Sequence, residues 1–334
     1  MAFILAIASL FAATIPMIIY LIIIWWLDRN EREPFWLVSL TFFWGATGAI
    51  FLAIIGSLIF QIPLSILILS VADDNAGELV GLSGAVVTAP LVEEATKGIF
   101  LLLIAISKRF DGAVDGVVYG GAVGLGFGMT ENFMYFLSYG TSPASWLYVV
   151  IIRTLFSAVM HCLATATLGA FIGYAKFKPT IFKLILVPAG YFIAVFLHFA
   201  WNISVSFEST SLLGFVFLIF YFFAIFAVFQ LAIYFEGKSI HRELVDEAQT
   251  GVIPHDHLNF LPFVTKRNKR GWLHPAINQK DYVSTSITLA LRKHQIRNIS
   301  MSKQLTYQRE IDNLRYRLQM MLYNAGLYKS QDPN

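Results

Sequence analysis

Most of the first 235 residues fall into apolar blocks. Each is about 20 or more residues long, enough as helix to cross about 30 Å of hydrocarbon. The blocks run at 3–27, 35–60, 80–107, 113–137, 146–174, 181–205 and 212–235. In lipid a backbone must satisfy its own hydrogen bonds, so the blocks are read as helices. The expectation is an all-α, multi-pass membrane bundle of about seven transmembrane helices. Composition agrees: 57% of residues are hydrophobic and only 13% are charged, about half the charge of an average soluble domain.

The loops suggest an orientation. Arg29 and Arg32 follow the first block, Lys108 and Arg109 the third, and Lys176, Lys178 and Lys183 the fifth. The alternate loops carry Asp73, Asp74, Glu78 and Glu208 but no Lys or Arg. The positive-inside rule then puts the N-terminus outside, the tail in the cytoplasm and the protein in the cell membrane. The first block lacks a basic leader and a small-residue cleavage site, so it is read as a retained anchor.

Residues 1–235 are read as the membrane unit and 236–334 as a basic, mostly helical cytoplasmic tail. The tail holds 15 Lys+Arg against 9 Asp+Glu. Within it, 241–250 reads helical, 251–282 is broken by Pro254, Pro262 and Pro275, and 284–324 reads helical again. Ile311, Leu314, Leu318 and Met321 form one apolar stripe. A small helical domain is the leading reading of the tail; binding of anionic lipid headgroups by its basic face is the second. Cys162 is the single cysteine, which excludes an intramolecular disulfide and a multi-cysteine metal site.

The informative residues are those a bilayer rejects. Glu93, Glu94 and Lys97 fall in the third block, and Glu131 and Asn132 in the fourth. His161 falls in the fifth, and His198 and Asn202 in the sixth. A charge at mid-span costs about 2.5–3.5 kcal/mol, so these groups need one another or water. Residues four apart share a helix face. Gly112, Gly116, Gly120, Gly124 and Gly128 form such a ridge, continued by Asn132, and Glu131 lies beside it. Ser157, His161, Thr165, Gly169 and Gly173 form a second ridge, and Gly190, Ala194, His198 and Asn202 a third. Small-residue ridges let helices approach closely, which turns the polar residues toward the bundle interior. Taken alone, a glycine ridge is packing, Glu93 and Lys97 are a neutralising pair, and a buried His is a satisfied core residue. Their convergence points to function. Arg153, near the end of its block, is read as snorkelling to the interface.

Two adjacent carboxylates in a low-dielectric site cannot both ionise cheaply. Lys97 lies angularly between Glu93 and Glu94 and can hold one of them ionised, leaving the other to take a proton from water. His198 and Asn202 suit carbonyl polarisation or oxyanion stabilisation, and Glu131 and His161 suit orientation of water. Glu94, Glu131, His161 and His198 also make a ligand set for zinc with an open water position. Metal-bound and metal-free routes both stand. The sequence has no H-E-x-x-H, no G-x-S-x-G and no nucleotide loop, and no nucleic-acid partner is expected. A proton- or cation-coupled transporter using the same carboxylates and histidines is the alternative. A haem protein with His161 and His198 as axial ligands ranks third.

The ordered set of short motifs resembles the PrsW family of bacterial intramembrane proteases, related to the CAAX-protease and bacteriocin-processing superfamily. The pieces are Asp28 to Pro34, Glu93-Glu94-Ala95-Thr96-Lys97, Asp115-Gly116, Gly124 to Asn132, His161, and His198-Phe199-Ala200-Trp201-Asn202. The resemblance implies hydrolysis of peptide bonds in membrane-anchored proteins. It also implies roles for Glu93, Glu94, Glu131, His161, His198 and Asn202. Two departures stand out. The superfamily's EExxxR has Lys97 one residue early and Gly98 at the Arg position, and its FxxxH has Glu131 after Phe127.

Overall fold

The computed structural model describes residues 2–72, 74–297 and 301–327. Asp73, residues 298–300 of the helix expected over 284–324, and tail residues 328–334 lie outside them. The described residues hold helices and no strand. In chain order these are α1 (Ala2–Leu27), α2 (Phe35–Trp44), α3 (Ile50–Val71), α4 (Ala76–Ser83), α5 (Ala89–Ile104) and α6 (Ala113–Tyr139). Then come α7 (Pro143–Ile152), α8 (Ala158–Ala175), α9 (Thr180–Ser206), α10 (Glu208–Gln249), α11 (Val264–Arg267), α12 (Gln279–Ile296) and α13 (Met301–Asn324).

Three π-helical turns, Gly45–Ala49, Gly84–Thr88 and Arg153–Ser157, join α2 to α3, α4 to α5 and α7 to α8 without a break. Among the described residues, five continuous helices are long and apolar enough to cross a membrane: Phe3–Leu27, Phe35–Val71, Pro143–Ala175, Thr180–Ser206 and Glu208–Gln249. The second outruns the expected 35–60, because 61–71 is also apolar and Pro63 sits inside the helix. Membrane helices tolerate such prolines when neighbours or local adjustments satisfy the freed groups. The expected blocks 80–107 and 113–137 correspond to α5 and α6, which carry the buried charges and the glycine ridge.

The chain divides into two compact units, Met1–Asp28 with Glu33–Phe229, and Arg29–Arg32 with Gln230–Asn334. The first is organised by α6, which packs mainly on α8. Their two small-residue ridges face each other in antiparallel order. A methyl group added at Gly116 would overlap the Gly169 carbonyl, and one at Gly124 the His161 carbonyl. At Gly120 it would lie 2.9 Å from Ala166 Cα, and at Gly128 3.2 Å from Ala158 Cα. Only glycine permits this backbone approach.

α6 starts where Asp115 accepts the backbone N–H groups of Asp111 and Gly112, supplying partners that a helix start otherwise lacks. Asp115 sits near Glu33, whose carboxylate accepts the Tyr119 hydroxyl. Burial, and then repulsion from Asp111 and Asp28, push the Glu33 carboxyl up to about 8, against the Tyr119 hydrogen bond. Asp28, Glu33 and Asp115 of the motif pieces therefore lie together at one end of α6.

The second unit has its own apolar core, including Ile240, Leu244, Leu261, Tyr282, Leu289 and Leu318. Ile311 is buried there, and Leu314 and Met321 pack against it. Glu243 and Glu247, both fully buried, are met by Arg297 at 2.7 Å and Lys293 at 2.6 Å respectively. Arg315 adds a two-pronged contact to Glu247 at 2.9 and 2.7 Å. The tail segment 251–282 holds only a short 3-10 turn at His255–Asn259, α11 and the start of α12.

Candidate active site

The acids and imidazoles of α5, α6, α8 and α9 meet in the first unit, around the ammonium of Lys97. Lys97 and Glu94 are both 0% exposed. Lys97 Nζ donates to Glu94 Oε1 at 2.7 Å and to Glu93 Oε2 at 3.5 Å. It lies 3.1 Å from His161 Nδ1 and 3.9 Å above the Phe127 ring. Glu94 is held on every side, since Thr165 Oγ1 donates to its Oε2 at 3.0 Å and His198 Nδ1 lies 3.0 Å from its Oε1. Glu93 is held loosely: its side chain keeps 14% exposure, and its other contact is His198 Nε2 at 3.9 Å.

The donors fix the tautomers. Lys97 can only donate, so His161 Nδ1 accepts, and its proton sits on Nε2. Nε2–H then donates to Glu131 Oε2 at 2.6 Å. Glu94 can only accept, so His198 Nδ1 carries the proton, and the Nε2 lone pair faces Glu93. The two rings cross edge to face, with centroids 4.8 Å apart.

Arg153 corrects the sequence reading. It does not snorkel: Nη2 meets Glu131 Oε2 at 2.7 Å, and Nε donates to Asn132 Oδ1 at 3.0 Å. Its guanidinium stacks 3.6 Å above Tyr135. With only 13% of the side chain exposed, Arg153 neutralises Glu131 instead of reaching water. A signal was present in the sequence, because Arg153 is one step of four before Ser157, on the stripe of His161 and Thr165. Thr165 was likewise seen only as part of a packing ridge.

Asn202 stands apart from these bonds. Its Nδ2 donates to the Ala85 carbonyl at 2.8 Å, in the π-helical turn Gly84–Thr88 where the regular helical ladder is interrupted. It therefore makes no hydrogen bond within the cluster. Asn132 reaches the cluster's edge through Arg153, and its buried Nδ2 has no hydrogen-bond partner. An apolar cavity of about 750 Å³ lies elsewhere, lined by residues such as Tyr20, Leu125, Leu163 and Phe222, and none of the clustered acids or imidazoles faces it.

In formal charges, Glu93, Glu94 and Glu131 face Lys97 and Arg153, which leaves one negative charge for a proton or a cation to balance. Ligand atoms of Glu93, His161 and His198 lie within 4.8 Å of one another, a His₂Glu donor set of the kind that binds catalytic zinc. This differs from the expected set of Glu94, Glu131, His161 and His198. Glu94 is taken up as the carboxylate behind His198, a common outer partner of a metal-binding imidazole, and Glu131 is shared between Arg153 and His161. The residues present thus fit a divalent metal, with a proton-free ligand nitrogen on each histidine as its condition.

Residues 33–229 match the family described as PrsW family intramembrane metalloprotease. Relatives include the protease PrsW of Bacillus subtilis (strain 168), 28% identical over 153 residues, covering 45% of this chain and 61% of the relative. The protease PrsW of Clostridioides difficile (strain 630) is 29% identical over 184 residues, covering 53% of this chain and 72% of that protein. That of Shouchella clausii (strain KSM-K16) is 29% identical over 116 residues, with coverages of 34% and 51%. The chain thus spans 61% of the length of the Bacillus relative. No solved structure gives a significant match. With the match running across the whole acid and imidazole cluster, the chain belongs to the PrsW family of intramembrane metalloproteases.

Proposed function

We propose that this protein is an intramembrane endopeptidase that hydrolyses peptide bonds of membrane-anchored proteins, using water activated at Glu93. The observation that carries the reading is the difference between the two adjacent carboxylates. Glu94 is fully buried and held by Lys97, Thr165 and His198, whereas Glu93 is partly open and held by contacts of 3.5 and 3.9 Å. A general base needs a lone pair and access to water, and Glu93 has both. Glu94 and Lys97 instead fix the His198 ring, keeping its Nε2 lone pair turned toward the water that Glu93 would hold. Lys97 on one side and Glu131, itself held by Arg153, on the other fix the His161 ring beside this water.

Glu93, His161 and His198 would hold the divalent metal that the family description names. A metal there would polarise the peptide carbonyl and make water more acidic. Glu93 is central to either route, as base without the cation and as ligand with it. Seven spans, an outer N-terminus, a cytoplasmic tail and cleavage in or near the outer half of the bilayer complete the proposal. Family membership favours the protease reading over the transporter. The test is cleavage of a membrane-anchored reporter by the full chain in proteoliposomes. Wild type should cleave and Glu93→Gln should not; a Glu93→Gln variant cleaving at the wild-type rate would end the assignment.

A further inference from the structure

The family match stops at Phe229, and the second unit continues from Gln230. Two sets of cations stand out in this unit. Lys293, Arg297, Arg315 and Arg317 are engaged by Glu247, Glu243, Glu247 and Asp281, each within 3 Å. The second set lies between Asp256 and Asp281, where the chain has Lys266, Arg267, Lys269, Arg270 and Lys280 and no acid. Lys266, Lys269, Arg270 and Lys280 are exposed, and among the described residues no carboxylate pairs with them. Phe263 is 44% exposed, and Lys266 Nζ lies 4.6 Å from its ring.

Arg267 fixes the depth of this strip. Its Nη2 donates to the Arg29 carbonyl at 2.6 Å and the Asn30 carbonyl at 3.2 Å. Asn30 Nδ2 donates in turn to Glu236 Oε2 at 2.7 Å and the Ile233 carbonyl at 3.3 Å. Arg29 and Asn30 follow directly on Leu27-Asp28, and Leu27 ends an apolar span. A chain reaches at most about 3.6 Å per residue, so Asn30 stays within about 11 Å of the end of that span. The polar layer on each side of the hydrocarbon is roughly 5–8 Å thick. The strip is therefore tethered close to the headgroup layer.

We propose that Lys266, Lys269 and Arg270, with Phe263 beside them, dock on anionic phospholipid headgroups of the leaflet from which α1 and α10 emerge. Basic residues beside a bilayer favour an anionic surface by about fivefold each, and an aromatic ring suits the same layer. Three such cations favour docking on the order of a hundredfold. A soluble polyanion would have to compete with the headgroups beside which the strip is tethered. The inference is independent of the chemistry proposed for the acid cluster.

The test is amide hydrogen exchange of the full chain in nanodiscs of neutral phosphatidylcholine, and in discs containing phosphatidylglycerol. Residues 263–280 should exchange at least tenfold more slowly in the anionic discs. The difference should disappear at high salt and in a Lys266→Gln, Lys269→Gln, Arg270→Gln variant, with α12 unchanged as the control for folding. If the variant loses protection throughout the unit, the salt arm on wild type decides. Equal exchange in both discs would overturn the proposal. So would protection in neutral discs caused by inorganic phosphate or by added RNA, which would assign the strip to a soluble anion or to nucleic acid.

Discussion

Replacing the two adjacent glutamates one at a time should separate stability from chemistry. Glu94→Gln removes the anion that meets Lys97 at 2.7 Å, with both side chains 0% exposed. Breaking a buried pair by removing one partner costs about 3–5 kcal/mol, because the remaining charge has no compensation. Glu93 is 14% exposed and 3.5 Å from Lys97, and its loss leaves Lys97 paired with Glu94, so Glu93→Gln should cost clearly less than Glu94→Gln. Its cleavage should nevertheless fall about 10²–10⁴-fold, the usual worth of a positioned general base. The assay is thermal unfolding of purified protein in detergent, combined with reporter cleavage in proteoliposomes scored per folded molecule. A marked fall in the unfolding midpoint is expected for Glu94→Gln alone. A Glu93→Gln protein that is unstable, or a Glu94→Gln protein as stable as wild type, would refute the division of roles.

Other perturbations probe the surrounding contacts. Arg153→Gln should lower cleavage at least tenfold, with partial recovery in Arg153→Lys, which keeps the charge but loses the fork to Glu131 and Asn132. A double-mutant cycle on stability with Glu131→Gln should return a coupling of about 0.5–3 kcal/mol, and strict additivity would deny the pair. Gly120→Ala should destabilise by about 1–3 kcal/mol or more, since its methyl would lie 2.9 Å from Ala166 Cα. Gly77→Ala, with nothing within 4 Å, should be close to neutral and serves as the control. Glu33 has its pKa raised to about 8 by burial, so the folded state holds a proton that the unfolded chain releases. Its contribution to stability is full below about 4.5 and is lost as pH rises through 8; Glu33→Gln should flatten that window in unfolding titrations. Zinc should raise the unfolding midpoint of wild type but not of His198→Ala, as the Glu93, His161 and His198 donor set requires. Equal shifts in the two proteins would remove His198 from the site.

Much of the site was legible from spacing. The Gly116, Gly120 and Gly124 ridge and the His161, Thr165 and Gly169 ridge each lie on one face of a regular helix, and they are the faces that pack. Glu93, Glu94, Lys97, Glu131, His161 and His198 were identifiable because hydrocarbon does not tolerate them unpaired. The partners of Arg153 and Asn202 were not legible. Counting in fours already puts Arg153 on the stripe of His161, but its partner Glu131 lies on another helix. Asn202 binds a carbonyl in the π turn Gly84–Thr88, whose extra residue rotates the helix before it by about 100° relative to the helix after it.

The sequence by itself determined the helical, membrane-spanning class, the close contact faces, and the need for the buried acids to find partners. Those properties follow from the order of residues along a single helix and from the solvent it crosses. Only the tertiary structure decided which acid was locked and which was left open to water, and gave Arg153 to Glu131 and Asn202 to Ala85. Such pairings depend on how far one helix is turned and shifted against another, over distances of a few ångströms that no single helix encodes.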